Sequence, residues 1–200
     1  MTKLMNLVFF IQSKTVNLQK FTIKDLPGSS GRFDVICRCI LSAIYNDYNL
    51  EKSVQIWVFL PQYGTFIFNS RNLNPQNFPK NELLLAKKFS NFILQINQEL
   101  KIQKNNMTIF EAINEFIEKN YKIIVLSEKG RSFESFLKDP HDFNDLLCII
   151  GDQTGDLLES IDLNNFSMQF LSFGAKSYLA SSVIRLVKIA LMNSRKNFKF

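Results

Sequence analysis

The chain has 200 residues, 46% of them hydrophobic and 21% charged, with only seven Gly and five Pro. Those proportions exclude a disordered chain, a coiled-coil rod and a collagen-like or low-complexity protein. The net charge of +6 is unevenly placed: every acidic residue precedes position 163, after which come Lys176, Arg185, Lys188, Arg195, Lys196 and Lys199. A basic end of this kind points to a polyanionic partner. Cys37, Cys39 and Cys148 are odd in number and lack zinc-ligand spacing, and His141 is the lone histidine. No metal site and no disulfide framework are expected, and the composition suits a reducing compartment.

The predicted elements run as follows. Leu4–Ile11 is a near-continuous apolar run, the mark of a strand buried on both faces. It leads into Gln12-Ser13-Lys14 with no small-residue cleavage site, so it reads as a first strand rather than a signal. No apolar stretch approaches the ~20 residues that span a bilayer. Asp25–Arg32 is rich in turn formers. From Phe33 to Ile44 the apolar positions 33, 36, 37, 40, 41 and 44 fall on one face of a helix. Val54–Leu60 is a second buried strand, and Pro61–Gly64 turns into a hairpin partner, Thr65–Phe68. Asn69–Lys80 is loop and Asn81–Leu100 helix. Thr108 and Glu111 form a capping box for a helix to about Lys119. Ile123–Leu126, Leu146–Ile150 and Met168–Leu171 are strands, and Ser177–Asn193 is a final helix. Strands alternating with helices predict an α/β fold with a mostly parallel sheet.

In such sheets ligands sit beyond the carboxyl ends of the strands. Three Gly-containing loops follow strand ends: Ser127–Gly130, Gly151–Gly155 and Ser172–Lys176. Neither a P-loop nor a Gly-x-Gly-x-x-Gly turn is present, so an adenine-type ligand outside the common nucleotide folds is expected.

Four segments carry a family resemblance: Asp25-Leu-Pro-Gly-Ser-Ser-Gly-Arg-Phe-Asp-Val-Ile-Cys-Arg-Cys39, Ile123–Gly130, Cys148–Gly155 and Phe170–Ala180. In order and spacing they resemble the archaeal TrmY-type tRNA pseudouridine-54 N1-methyltransferases of the SPOUT superfamily. The resemblance implies one SPOUT-type domain over residues 1–200, with a C-terminal deep trefoil knot at about 122–195. It also implies S-adenosylmethionine as cofactor, tRNA as substrate, a homodimer packed through the last helix, and a cytoplasmic setting. Carried over residue by residue, it places the cofactor against Leu126, Gly151 and the loop of Leu171, Ser172, Phe173, Gly174, Ala175 and Lys176. The chain departs from the family pattern at Ala175, where many members have Pro. It also has Leu179-Ala180 where they have His-Ala, and Val183 where some have Cys.

Methyl transfer to N1 of pseudouridine requires an aligned acceptor and stabilisation of the charge left when N1 loses its proton. With a helix starting near Arg32, Asp34 and Arg38 form an i,i+4 pair. Arg32 and Asp34 are the expected catalytic residues, and Arg38 and Gly31 the expected substrate contacts. Arg32 is expected to meet phosphate or a uracil carbonyl; Asp34 either accepts a hydrogen bond from the base or orients Arg32. Cys37 is expected in the core, not as a nucleophile. Leu179, Val183, Leu186, Val187 and Leu191 are the expected dimer stripe, and Lys188 and the residues beyond it the expected phosphate contacts. Two other functions stay open: a related SPOUT enzyme acting on another tRNA or rRNA position, and a non-catalytic RNA-binding knot protein.

Overall fold

A computed structural model describes residues 5–19, 21–47, 49–138, 145–151 and 168–197. The apolar run at the start becomes β1 (Leu7–Gln12), and it is the middle of the sheet. It pairs in parallel with β4 (Val54–Leu60) on one side and β8 (Leu146–Ile150) on the other. Strand β8 continues in parallel to β7 (Lys122–Ser132), and β7 to β9 (Met168–Ser172). On the far side β5 (Gly64–Asn69) and β6 (Gln103–Asn105) add antiparallel strands, giving the order β6-β5-β4-β1-β8-β7-β9. The small strands β2 (Tyr45–Asn46) and β3 (Asn49–Leu50) form a separate ribbon.

Alternation along β1 divides the core. Leu7, Phe9 and Ile11 face one layer, with α2 (Phe33–Ile44) and α3 (Glu82–Ile93). The same layer holds α5 (Phe133–Lys138) and α6 (Ala180–Asn197). Val8 and Phe10 face the other, covered by α4 (Ile109–Glu118). There Phe10 meets Phe59 and Phe116 edge-on, with ring centroids 5.0 and 5.4 Å away. Both faces are apolar because helices cover both, as a parallel sheet requires.

The structure bears out the α/β class, the mostly parallel sheet and, residue for residue, the Phe33–Ile44 helix. The capping box at Thr108 and Glu111 is present. Two expectations are corrected, and strand β6 and two short helices are additions to them. The helix expected to Leu100 ends at Ile93, because Gln95 turns into the left-handed region (φ 58°) and the chain folds back so that the Ile96 N–H donates to Asn91 O. Strand β6, a polar Gln-Lys-Asn segment, has no apolar alternation to announce it. The loop expected at Ser127–Gly130 is a bulge inside β7, which resumes pairing with β9 at Arg131. The short helices α1 (Leu26–Ser29) and α5 lie where only turns or nothing was expected.

Lys188 is a further correction. It is buried, and its Nζ donates to the carbonyls of Ser42, Ala43 and Tyr45 at 3.0, 3.2 and 2.6 Å while pairing with Glu51 at 2.8 Å. These are carbonyls at the carboxyl end of α2, left without intrahelical partners and carrying partial negative charge. Lys188 thus pins α6 to α2 and does not face a phosphate. Val187 and Leu191, expected in a dimer stripe, sit in the core beside Ile184. Replacing Lys188 by Met leaves a carboxylate and several carbonyls unpaired. Urea denaturation of Lys188→Met should show a loss of about 3 kcal/mol.

Candidate active site

A cleft of about 1020 Å³ opens at the bulge of β7 and the carboxyl ends of β8 and β9. Leu126–Lys129, Ile150 and Gly151, Phe170–Gly174 and Lys176–Ala180 line it, with Val183 from α6. Of the eight residues expected around a cofactor, all but Ala175 line this cleft. Asp152–Gly155 lie outside the described residues, as do His141 and Lys199. Ile150, Phe170, Ser177 and Tyr178 also line the cleft; they lie within the segments that carry the resemblance but were not singled out as site residues.

The loop after β9 is held by its own side chains. The Ser172 hydroxyl accepts from the Gly174 N–H and lies near the carbonyls of Gly174 and Glu128, at 2.9 and 3.4 Å. Phe173, one of the residues expected around the cofactor, stacks on Phe133 with centroids 4.6 Å apart. Gly174 has φ 110°, where side chains are strained, and Gly130 lies so near Leu171 that a Cβ would come within 2.6 Å of its backbone. Gly151 is different. It lines the cleft without a left-handed backbone, and among the described residues a Cβ there meets no atom within 4 Å.

The second part of the site forms around the turn before α2. The Asp25 carboxylate accepts from the Gly28 N–H and caps α1, where Pro27 fits because the first-turn N–H groups need no partner. Buried Ser30 donates its hydroxyl to Leu26 O and accepts from the Phe33 N–H. Gly31 (φ 60°) packs so closely on Thr15 that a Cβ would lie 1.8 Å from its carbonyl oxygen. Arg32 follows in the same left-handed region (φ 69°) and is the N-cap of α2. Thr15 lies just beyond β1, whose last parallel pair with β8 is Ile11 with Ile150. The turn therefore sits at the same sheet edge as Gly151.

Asp34, in the first turn of α2, has a side chain only 4% exposed. Arg32 grips it with two hydrogen bonds, Nε to Oδ1 at 3.1 Å and Nη2 to Oδ2 at 3.2 Å. Arg38 adds a third, Nη2 to Oδ2 at 2.5 Å. The expected i,i+4 pair is present, and the same carboxylate holds the arginine before it. Asp34 thus accepts hydrogen bonds from two arginines, Arg32 among them. The cysteines are buried, and burial pushes the Cys37 thiol well up and that of Cys39 up to about 12. A thiolate nucleophile is thereby disfavoured.

Residues 5–196 match the family described as "Putative SAM-dependent RNA methyltransferase". The chain belongs to this family. It is 29% identical over 200 residues to the tRNA (pseudouridine(54)-N(1))-methyltransferase of Pyrococcus abyssi, covering 92% of this chain and 96% of that one. With the enzyme of the same name from Thermococcus onnurineus it shares 30% over 187 residues, 86% and 89% of the two chains. The crystal structure of Archaeoglobus fulgidus Nep1 bound to S-adenosylhomocysteine superposes with a TM-score of 0.64 at 15% identity. It covers 96% of this chain and all of that one, and the likeness is one of fold. The chain is an S-adenosylmethionine-dependent RNA methyltransferase.

Because Gly151 lines the cleft and a Cβ there meets none of the described residues, Gly151→Leu should fold normally yet bind cofactor at least roughly tenfold more weakly. Calorimetric titration alongside a thermal melt tests both halves.

Proposed function

We propose that the protein methylates N1 of pseudouridine 54 in the T-loop of tRNA. The observation that carries this reading is the division of one sheet edge into two parts. A cleft between glycine-bearing strand ends lies on one side, and a carboxylate-held arginine at the start of α2 on the other. The cleft's volume lies near the upper end of the range for small-molecule sites, and Gly151 lines it. Leu126, Gly151 and the Leu171–Lys176 loop would hold S-adenosylmethionine, largely through backbone groups. Bound there, the cofactor supplies a methyl group on a sulfonium.

The chain's own residues do the rest. The new bond is N1–carbon and the broken one carbon–sulfur, while the N1 proton leaves to solvent. Arg32, half exposed, presents its guanidinium to a uracil carbonyl and stabilises the negative charge that develops as N1 gives up its proton. Asp34 is buried and doubly engaged, so it orients Arg32 rather than meeting the base.

The same reading includes a trefoil knot within about 122–195, one domain across the chain, and a cytoplasmic setting. It also includes a homodimer through α6. Leu179, Ile189 and Met192 are exposed on α6 or just before it, with Val183 and Leu186 half-buried between them. That apolar face suits an isologous contact. Light scattering should give a dimer at micromolar concentration; a monomer would overturn this part.

Arg32→Ala and Asp34→Asn should each slow single-turnover transfer by roughly a hundredfold while cofactor affinity stays within about twofold. Arg32→Lys should not rescue, because an ammonium cannot reproduce the two-pronged geometry of a guanidinium. Wild-type transfer by Arg32→Ala, or loss of its cofactor binding, would overturn the division of the site.

A further inference from the structure

The arginine pair on Asp34 raises an electrostatic question. Two guanidiniums converge on one carboxylate, and both donate to the same oxygen, Oδ2. Like charges this close repel, and with only Asp34 between them Arg38 would turn to take both carboxylate oxygens for itself. Arg32, half exposed and held in a strained backbone conformation, is the weaker contender. Yet Arg32 holds both oxygens.

Glu82 accounts for this. It is the first residue of α3, which packs on α2, and Asn81 caps that helix by accepting from the Leu84 N–H. Its Oε2 lies 3.5 Å from Arg38 Nε, beside the Nη2 that meets Asp34 and on the same edge of the guanidinium that a two-pronged grip on Asp34 would use. That Nε is shut off from solvent and makes no hydrogen bond among the described residues, so the Glu82 carboxylate is its counter-charge. Burial raises the Glu82 carboxyl, and Arg38 pulls it back down.

We infer that Glu82 is a positioning residue for methyl transfer: by holding the Nε side of Arg38, it keeps Arg38 to one contact on Asp34 and leaves the carboxylate's two-pronged face to Arg32. The chain of contacts is Glu82–Arg38–Asp34–Arg32, alternating in sign. Two cations and two anions balance, so the guanidinium offered to the substrate is fixed in direction without leaving a net buried charge. Glu82 touches no substrate, which explains why nothing in the sequence around it suggests chemistry. This inference rests on the reading of Arg32 given above.

The test uses the full chain with pseudouridine-containing tRNA. Glu82→Gln keeps the shape and removes the charge. It should lower kcat roughly tenfold or more, change KM for tRNA by less than about threefold and leave cofactor affinity unaltered. Glu82→Asp keeps the charge and should recover most of the rate. Because Glu82 acts through Arg38, Glu82→Gln in an Arg38→Ala background should cost nothing further. The Arg32 Nε–H resonance in a ¹⁵N-labelled protein should shift in Glu82→Gln, a readout independent of activity. An unshifted Arg32 resonance, full additivity with Arg38→Ala, or an Asp variant no better than Gln overturns the inference. If Arg32→Ala transfers at the wild-type rate, the reading of Arg32 falls instead, and the resonance still decides whether Glu82 positions it.

Discussion

Strand β1 hydrogen-bonds in parallel to both β4 and β8, and the placement of the site follows from that double pairing. Parallel neighbours end at the same edge, so the chain leaving β1 emerges beside the chain leaving β8. The first becomes the Thr15–Arg32 turn and the second becomes Gly151. Residues more than a hundred positions apart in sequence are thereby brought to one edge without contacting each other in either strand. The strand can hold this position because Phe9 and Phe10 bury opposite faces, each completely. Fully burying one such ring is worth about 1.5–3 kcal/mol, so register is strongly specified: a slip by one residue would exchange the two layers.

Charge is used in this protein mainly to fix helices to one another. Lys188 ties α6 to the carboxyl end of α2, and Arg38, midway along α2, pairs with Glu82 at the start of α3. Both anchors sit where backbone polarity favours them: a cation at the buried carbonyls of a helix end, a carboxylate in a first helical turn. Helix α2 is thus gripped at its carboxyl end and at its middle, and Arg38 links the second grip to Asp34 in the first turn. One of the basic residues near the chain's end, Lys188, is thereby spent inside the protein.

Most of the fold was legible because its signals are local. The spacing of apolar positions marks α2 from end to end, and Thr108 with Glu111 marks the start of α4. The Asp25–Arg32 segment was legible as a turn since each residue there has a backbone job: a cap, a helix start, a buried hydroxyl, a Cβ-free approach. What escaped were features set by partners distant in sequence. Strand β6 exists because β5 offers it an edge, not because Gln-Lys-Asn favours a strand. Lys188 and Glu82 look like ordinary surface charges until packing supplies their partners. Helical spacing showed that α6 has an apolar face, but not that Val187 and Leu191 turn inward while Ile189 and Met192 stay outside.

The strain at Arg32 connects these levels. A side chain in the left-handed region costs on the order of 1–3 kcal/mol, and Gly31 beside it cannot be replaced to relax the turn, because Thr15 occupies the space. Two hydrogen bonds to a buried carboxylate offset that cost, since charge-assisted bonds are roughly twice as strong as neutral ones. The same bonds fix the guanidinium plane. An arginine in ordinary helical geometry at this position would project along α2 and sweep many rotamers. Held back by its own backbone and by Asp34, it has one orientation before any substrate arrives. The ordering entropy is then met by folding rather than by binding, and that is the condition under which an electrostatic contact favours a transition state over a ground state.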